Sequence, residues 1–316
     1  MKQVDHKEIT RFALYNYIDL MSEGFREILR ENREEIIRAT DHEDSWYLNG
    51  DRITNWHFYK HPLNHYPDSF RRLLNFKLYS KFVYVEHAEN FRNTLRSLQE
   101  KNWPEREQEK LFRTVGALIH HIQDMGTPSH VVPVFHGRPA PGKFHSCDDQ
   151  FESYSAEHIV EHLSNHSSWL HLGNKVEVQY PDDTFWDIYE DSAQQTMALL
   201  RNFRFTAGKK DGGSGQLSCR IFWQEYDFEN DPEGGNETAG FGQYGPLEKY
   251  FGKENLVDSA DSCRYDRGYE VNFEDENWVV RFEDYRELYF QLLRNMILAT
   301  LRCLYLVDKQ YGELRG

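Results

Sequence analysis

The chain has 316 residues, 39% hydrophobic and 15% aromatic, enough apolar side chain to fill the core of one large domain or two medium ones. With 37 basic against 52 acidic residues the net charge is −15, a field that repels nucleic acid and anionic membrane surfaces, so a polyanionic substrate needs local positive charge such as bound cations. No apolar run approaches the roughly 20 residues of a membrane span and the start, MKQVDHKEITRF, lacks a signal-peptide core; the expectation is a soluble chain with no transmembrane segment, cytoplasmic as written, or exported if a leader is removed first.

From Glu8 to about Arg38 the apolar positions Leu14, Ile18, Met21, Phe25 and Ile28 recur at helical spacing, which predicts one long amphipathic helix. The next stretch, DHEDSWYLNGDRITNWHFYKHPLNHYPDS, is broken by Asn49-Gly50 and two prolines and reads as an ordered loop. Helical character resumes over residues 68 to 100. Pro104, with glutamates just after it, opens a third helix that Gly126-Thr127-Pro128 should stop. Further helices are expected at about 148 to 165, 184 to 204 and 283 to 308. Between roughly 205 and 280 the texture turns rich in Gly and Asp, with short strand candidates only near RIFWQEY and NWVVRF, and reads as a loop-rich insertion. The predicted fold class is therefore all-α, a single domain over 1–316 carrying that insertion.

Four cysteines lie scattered without a CxxC pair, which argues against a thiolate zinc site; Cys219 and Cys263 could bridge or stay as free thiols. Fifteen histidines form an unusual load, and three of them fall in one stretch, LIHHIQDMGTPSH, from Leu118 to His130. On the predicted helix Leu111, Val115, Leu118 and Ile122 make the core stripe, while His120 and Asp124 share a second face one turn apart, with His121 nearer the stripe as packing. A solvent-exposed pair has this spacing too, yet an i, i+4 His/Asp pair also points imidazole nitrogen and carboxylate oxygen at one zinc ion. His130 follows just past the helix stop, and Asp148 and Glu152 form another i, i+4 pair, either favouring a helix N-terminus or meeting a cation.

The order His120-x3-Asp124-x5-His130 followed by a carboxylate helix resembles the zinc-dependent phospholipase C family, whose fold and trinuclear zinc site are shared with single-strand nucleases. EDSWYLNGDRITNWHFYKH resembles that family's acidic pair followed by an Asn-x-His-Phe-Tyr segment, and HKEITRFAL its opening helix. The likeness covers roughly residues 1 to 205 and the final helix, leaving the insertion unmatched.

That resemblance implies a phospholipase C/nuclease-like helical bundle binding two or three zinc ions. The first would take His57, His120 and Asp124, with Asp44 as ligand or general base beside the attacking water. The second would take His130, Glu152 and one of Asp148, His136 and His145; Asp148 stands where the family has histidine. Asp124 would bridge the first ion to a third held by His6 and the amine of Met1, a position where processed members carry tryptophan. The implied activity is metal-dependent hydrolysis of a phosphodiester, a phospholipid head group before nucleic acid. Ser45, where choline-preferring members have an aromatic, weakens a choline preference, and Phe58 after His57 keeps a base-stacking nuclease as the alternative. The reading of another class is a non-catalytic helical protein that a metal only stabilises.

Overall fold

The computed structural model describes residues 3–17, 22–41, 80–97, 105–131, 137–140, 143–146, 150–165, 172, 176, 179–209, 212–219, 223–224, 243–244, 256–258, 267–273 and 276–315. Helices dominate them: α1 (Gln3–Tyr17), α2 (Glu23–Ala39), α3 (Ser80–Ser97), α4 (Glu105–Asp124), α5 (Pro128–Val131), α6 (Gln150–Asn165), α7 (Phe185–Asn202) and α8 (Phe282–Arg315). The mostly helical character matches the expectation. The expected loop at 42 to 68 lies outside the described residues.

The single first helix expected from Glu8 to Arg38 is two helices. The apolar spacing runs on across the break, but Ser22 caps α2 and is held from far along the chain: its backbone N–H and its hydroxyl donate to the two carboxylate oxygens of Asp308, at 2.8 and 2.6 Å. A tertiary partner on α8 therefore ends the helical path that periodicity alone would continue.

Helix α4 is the axis of the bundle. It packs against α2, α3, α7 and α8, and its buried set includes not only Leu111, Phe112, Val115, Leu118, Ile119 and Ile122 but also His120, His121, Gln123 and Asp124. Covering by neighbours on every side explains why His120 and Asp124, on a second face of the helix, lie inside along with the apolar stripe. Each fully buried aliphatic or aromatic side chain contributes about 1.5–3 kcal/mol, so the stripe remains the main source of stability. The helix stops as predicted. Met125, Gly126 and Thr127 donate to the carbonyls of Ile122, Gln123 and Asp124 in a tightened last turn, and Pro128 opens α5, which folds back over that end.

Helix α8 buries Tyr285, Leu288, Tyr289, Leu292, Leu293, Met296, Ile297, Leu301 and Leu304 against α1, α7 and α4. Its stretch Phe282–Glu313 is long and apolar enough to cross a bilayer by length and composition, against the expectation of no such run, while 67% of its most apolar window is buried inside the protein. Arg302, 2% exposed, sits over the ring of Tyr180 and bonds Asp183 at 2.6 Å and Asp191 at 3.0 Å, pinning α8 to the start of α7. That start carries a capping box, Thr184 and Asp187 each satisfying the other's backbone.

The segment expected to be loop-rich holds a five-stranded antiparallel sheet in the order β4-β3-β9-β8-β7, from β3 (Arg204–Lys209), β4 (Ser214–Ser218), β7 (Leu256–Asp258), β8 (Arg267–Phe273) and β9 (Glu276–Arg281). The candidate strand at NWVVRF is β9. The glycine run that read as loop is a hairpin turn: Gly212 has φ of 101°, a left-handed conformation that suits glycine, and Lys209 accepts from it. Because β3 leaves α7 directly and β9 enters α8 directly, pairing Ala207 with Val280 sews these two helices together. Cys219, beside β4, is a buried free thiol, as is Cys303.

Candidate metal centre

Four of the sequence-predicted residues converge where α1, α4 and α5 meet. Asp124, 1% exposed, lies between them: its Oδ1 is 3.4 Å from His6 Nε2, and its Oδ2 is 3.2 Å from His120 Nε2 and 3.7 Å from His130 Nδ1. The rings of His6 and His120 stack with centroids 4.0 Å apart. Donor atoms of His6, His120 and Asp124 all lie within 4.8 Å of one another, and all three residues are buried.

The other ring nitrogens decide what faces the carboxylate. His120 Nδ1 is 2.8 Å from the carbonyl oxygen of Thr40, which can only accept, so Nδ1 carries a proton, and when the ring is neutral its Nε2 lone pair faces Asp124. His6 Nδ1 is 2.8 Å from Gln123 Oε1, with the same consequence, and His6 Nε2 has no hydrogen-bond partner among the described residues. Burial, then the neighbouring His120, lowers the pKa of His6 from 6.5 to about 4, so its ring is neutral near pH 7. Burial opposes the charge of Asp124, but His130 and His120 outweigh it and hold its carboxyl well below the ordinary carboxylate range. The Nε2 lone pair of His6, and that of His120 when its ring is neutral, thus point at an anionic carboxylate.

Such facing groups are reconciled by a cation, either a metal ion between them or the proton of an imidazolium. Charge-assisted N–H···O bonds run to about 2.7–2.9 Å, shorter than the 3.2 and 3.4 Å found here. Donors about 2.0–2.1 Å from a tetrahedral zinc ion are separated by roughly 3.3–3.4 Å, close to these two distances, which run to different oxygens of Asp124. The residues fit a metal, and the backbone carbonyl and carboxamide behind the two rings are the outer partners that metal-bound histidines ordinarily have.

No family model, curated protein or solved structure matches the chain. The centre is therefore argued from its own geometry. Of the remaining expected residues, Met1, Asp44, His57, His136 and Asp148 lie outside the described residues; Glu152 lies in α6 and His145 in β2 (Lys143–Ser146), with both side chains outside them. His121, expected at the core edge, is fully buried, its ring 5.6 Å from that of His120 and 5.5 Å from that of His87. Sequence reasoning missed the Thr40 carbonyl and the side chains of Gln123, Thr10 and Thr300. Thr10 alone had a signal, standing one turn after His6 on the same face of α1.

The low pKa of His6 has a measurable consequence in the metal-free protein. The unfolded chain takes up the proton near pH 6.5 whereas the folded chain resists it until about 4, so stability is full above 6.5 and falls as the pH drops toward 4. The loss attributable to His6 should reach roughly 3 kcal/mol. Urea denaturation at pH 7.5 and 4.5 measures it, and His6→Gln should flatten that slope.

Proposed function

We propose that this chain is a zinc-dependent phosphodiester hydrolase of the phospholipase C kind, one helical domain binding two or three zinc ions. The observation that carries this reading is the buried meeting of His6, His120 and Asp124, with both Nε2 atoms turned onto the carboxylate at 3.2–3.4 Å and the three donors within 4.8 Å of one another. Its support is twofold: the donors suit zinc, and the two Asp124 oxygens address different histidines, Oδ1 facing His6 while Oδ2 faces His120 and His130, as a carboxylate shared between ions would. When bound, the ions supply Lewis acidity for hydrolysis of the ester by water and offset the net charge of −15 where a phosphate must approach.

The protein's residues then have distinct tasks. Asp124 supplies the anion that retains the cations, while His6 and His120, locked by their Nδ1 protons, aim neutral donors. His130, 9% exposed, is the least buried of the four. From the family likeness, His57 completes the first ligand set, Glu152 with Asp148, His136 or His145 the second, and Met1 the third; the Asp44 carboxylate orients the attacking water and accepts its proton. A phospholipid head group is the favoured substrate and single-stranded nucleic acid the alternative, given the absence of a basic strip in the sequence. The deep burial of His6, His120 and Asp124 favours a second reading, an ion that only stabilises the fold.

The test is metal content of the purified protein, followed by assays on a phosphorylcholine ester, a generic phosphodiester and single-stranded DNA with and without chelator. At least two zinc equivalents and chelator-sensitive hydrolysis are expected. Fewer zinc equivalents, or hydrolysis that survives the chelator, overturns the proposal; bound zinc without hydrolysis leaves the stabilising reading.

A further inference from the structure

Beyond the residues that would touch the ion, we infer that Gln123 is a positioning residue of this centre: its carboxamide oxygen keeps the His6 proton on Nδ1 and so holds the Nε2 lone pair toward Asp124. The inference rests on the metal-centre reading above and extends it to a group that no ligand pattern names.

A neutral imidazole has two tautomers. Were the proton on Nε2, His6 would donate it to Asp124 Oδ1, 3.4 Å away, and close the position an ion needs. An acceptor at Nδ1 tips the choice, and Gln123 Oε1 provides it at 2.8 Å. The carboxamide is itself held against flipping. Its nitrogen donates to Thr10 Oγ1 at 3.0 Å and Thr300 Oγ1 at 3.2 Å, and the Thr300 hydroxyl donates in turn to the Met296 carbonyl at 2.8 Å, so the threonine oxygen is left to accept. The direction of every bond in this chain follows from the carbonyl at its end. Gln123, Thr10 and Thr300 are all completely buried, where an unmatched polar group is costly and a fully matched network is rigid. Three helices therefore set one proton: α1 brings His6 and Thr10, α4 brings Gln123, and α8 brings Thr300 and Met296.

The experiment uses the full chain stripped of metal and titrated with Co(II), read by its visible ligand-field absorption. Gln123→Met, similar in length but with no strong acceptor, should weaken Co(II) binding by about 10–100-fold and alter the absorption bands. Gln123→Glu keeps an oxygen opposite Nδ1 and should restore most of the affinity. Thr300→Val should fall between the wild type and Gln123→Met, because the amide then has only Thr10 to orient it, and it serves if Gln123→Met does not fold. Thermal unfolding of each metal-free variant separates loss of fold from loss of binding. Wild-type affinity in both Gln123→Met and Thr300→Val, or equal impairment of Gln123→Glu and Gln123→Met, overturns the inference while leaving the metal centre standing. A wild-type chain that takes up no Co(II) overturns both.

Discussion

Asp124→Asn is expected to abolish metal binding while leaving the metal-free fold intact. The two structural explanations of the cluster predict opposite stabilities. If His6 and His120 were imidazolium partners of a buried carboxylate, removing its charge would cost about 3–5 kcal/mol. The Nδ1 contacts argue otherwise: they leave a lone pair on Nε2 of each neutral ring, and a carboxamide N–H in place of a carboxylate oxygen can donate to one of them, the nearer being His120 at 3.2 Å. The metal-free variant should therefore still fold, losing the attraction of His130 and His120 for the Asp124 carboxylate and regaining part of it through the carboxamide bond to His120. Zinc affinity should drop by more than about 100-fold, the upper end for losing even an outer partner. Chelator-sensitive hydrolysis should vanish with it. Paired urea denaturation and zinc titration read both quantities, and a large loss of metal-free stability would return the cluster to an ordinary ion pair.

The second large effect is expected at Gly116, one turn before His120 on α4. A methyl group there would stand 2.5 Å from Ala39 Cβ, 2.7 Å from the Ala39 carbonyl carbon and 3.0 Å from Thr40 N. Alanine is intrinsically the better helix former by about 1 kcal/mol, so on propensity alone Gly116→Ala would stabilise. The clash is with backbone, however, and cannot be relieved by rotating a side chain; the end of α2 must move. Overpacking of this kind costs typically 1–3 kcal/mol, so a net loss is expected. The displaced residue is also the one whose carbonyl accepts from His120 Nδ1. Metal affinity should consequently fall by about 10-fold, a coupling that calorimetric titration beside thermal unfolding detects. Lowered stability with unchanged affinity would show that Thr40 has no part in aiming His120.

Much of the helical layout was legible because local chemistry marks its ends. Pro104 and the Gly126-Thr127-Pro128 stop bracket α4, Thr184 and Asp187 announce α7, and the long apolar periodicity of α8 needs no tertiary help. What was illegible depends on partners distant in sequence. The break after α1 follows from Ser22 meeting Asp308, and the sheet forms because β3 finds β9 across more than sixty intervening residues. The site divides the same way. Spacing alone singled out His120, Asp124 and His130, and likeness of pattern added His6. Their burial was not readable, because periodicity identifies the most apolar face of a helix and says little about one enclosed on all sides. A backbone carbonyl such as that of Thr40 has no sequence signature at all, and Gln123 belongs to no ligand pattern.

The way α8 closes the bundle bears on how the protein is made. Residues 6, 120 and 124 come early in the chain, yet Gln123 behind His6 is oriented by Thr300, and α1 rests on the buried face of a helix that begins only at Phe282. A chain without α8 would lack the Thr300 hydroxyl that orients Gln123 behind His6 and the face on which α1 rests. On the metal-centre reading, tight capture of an ion would wait for α8 to dock, which would couple metallation to folding.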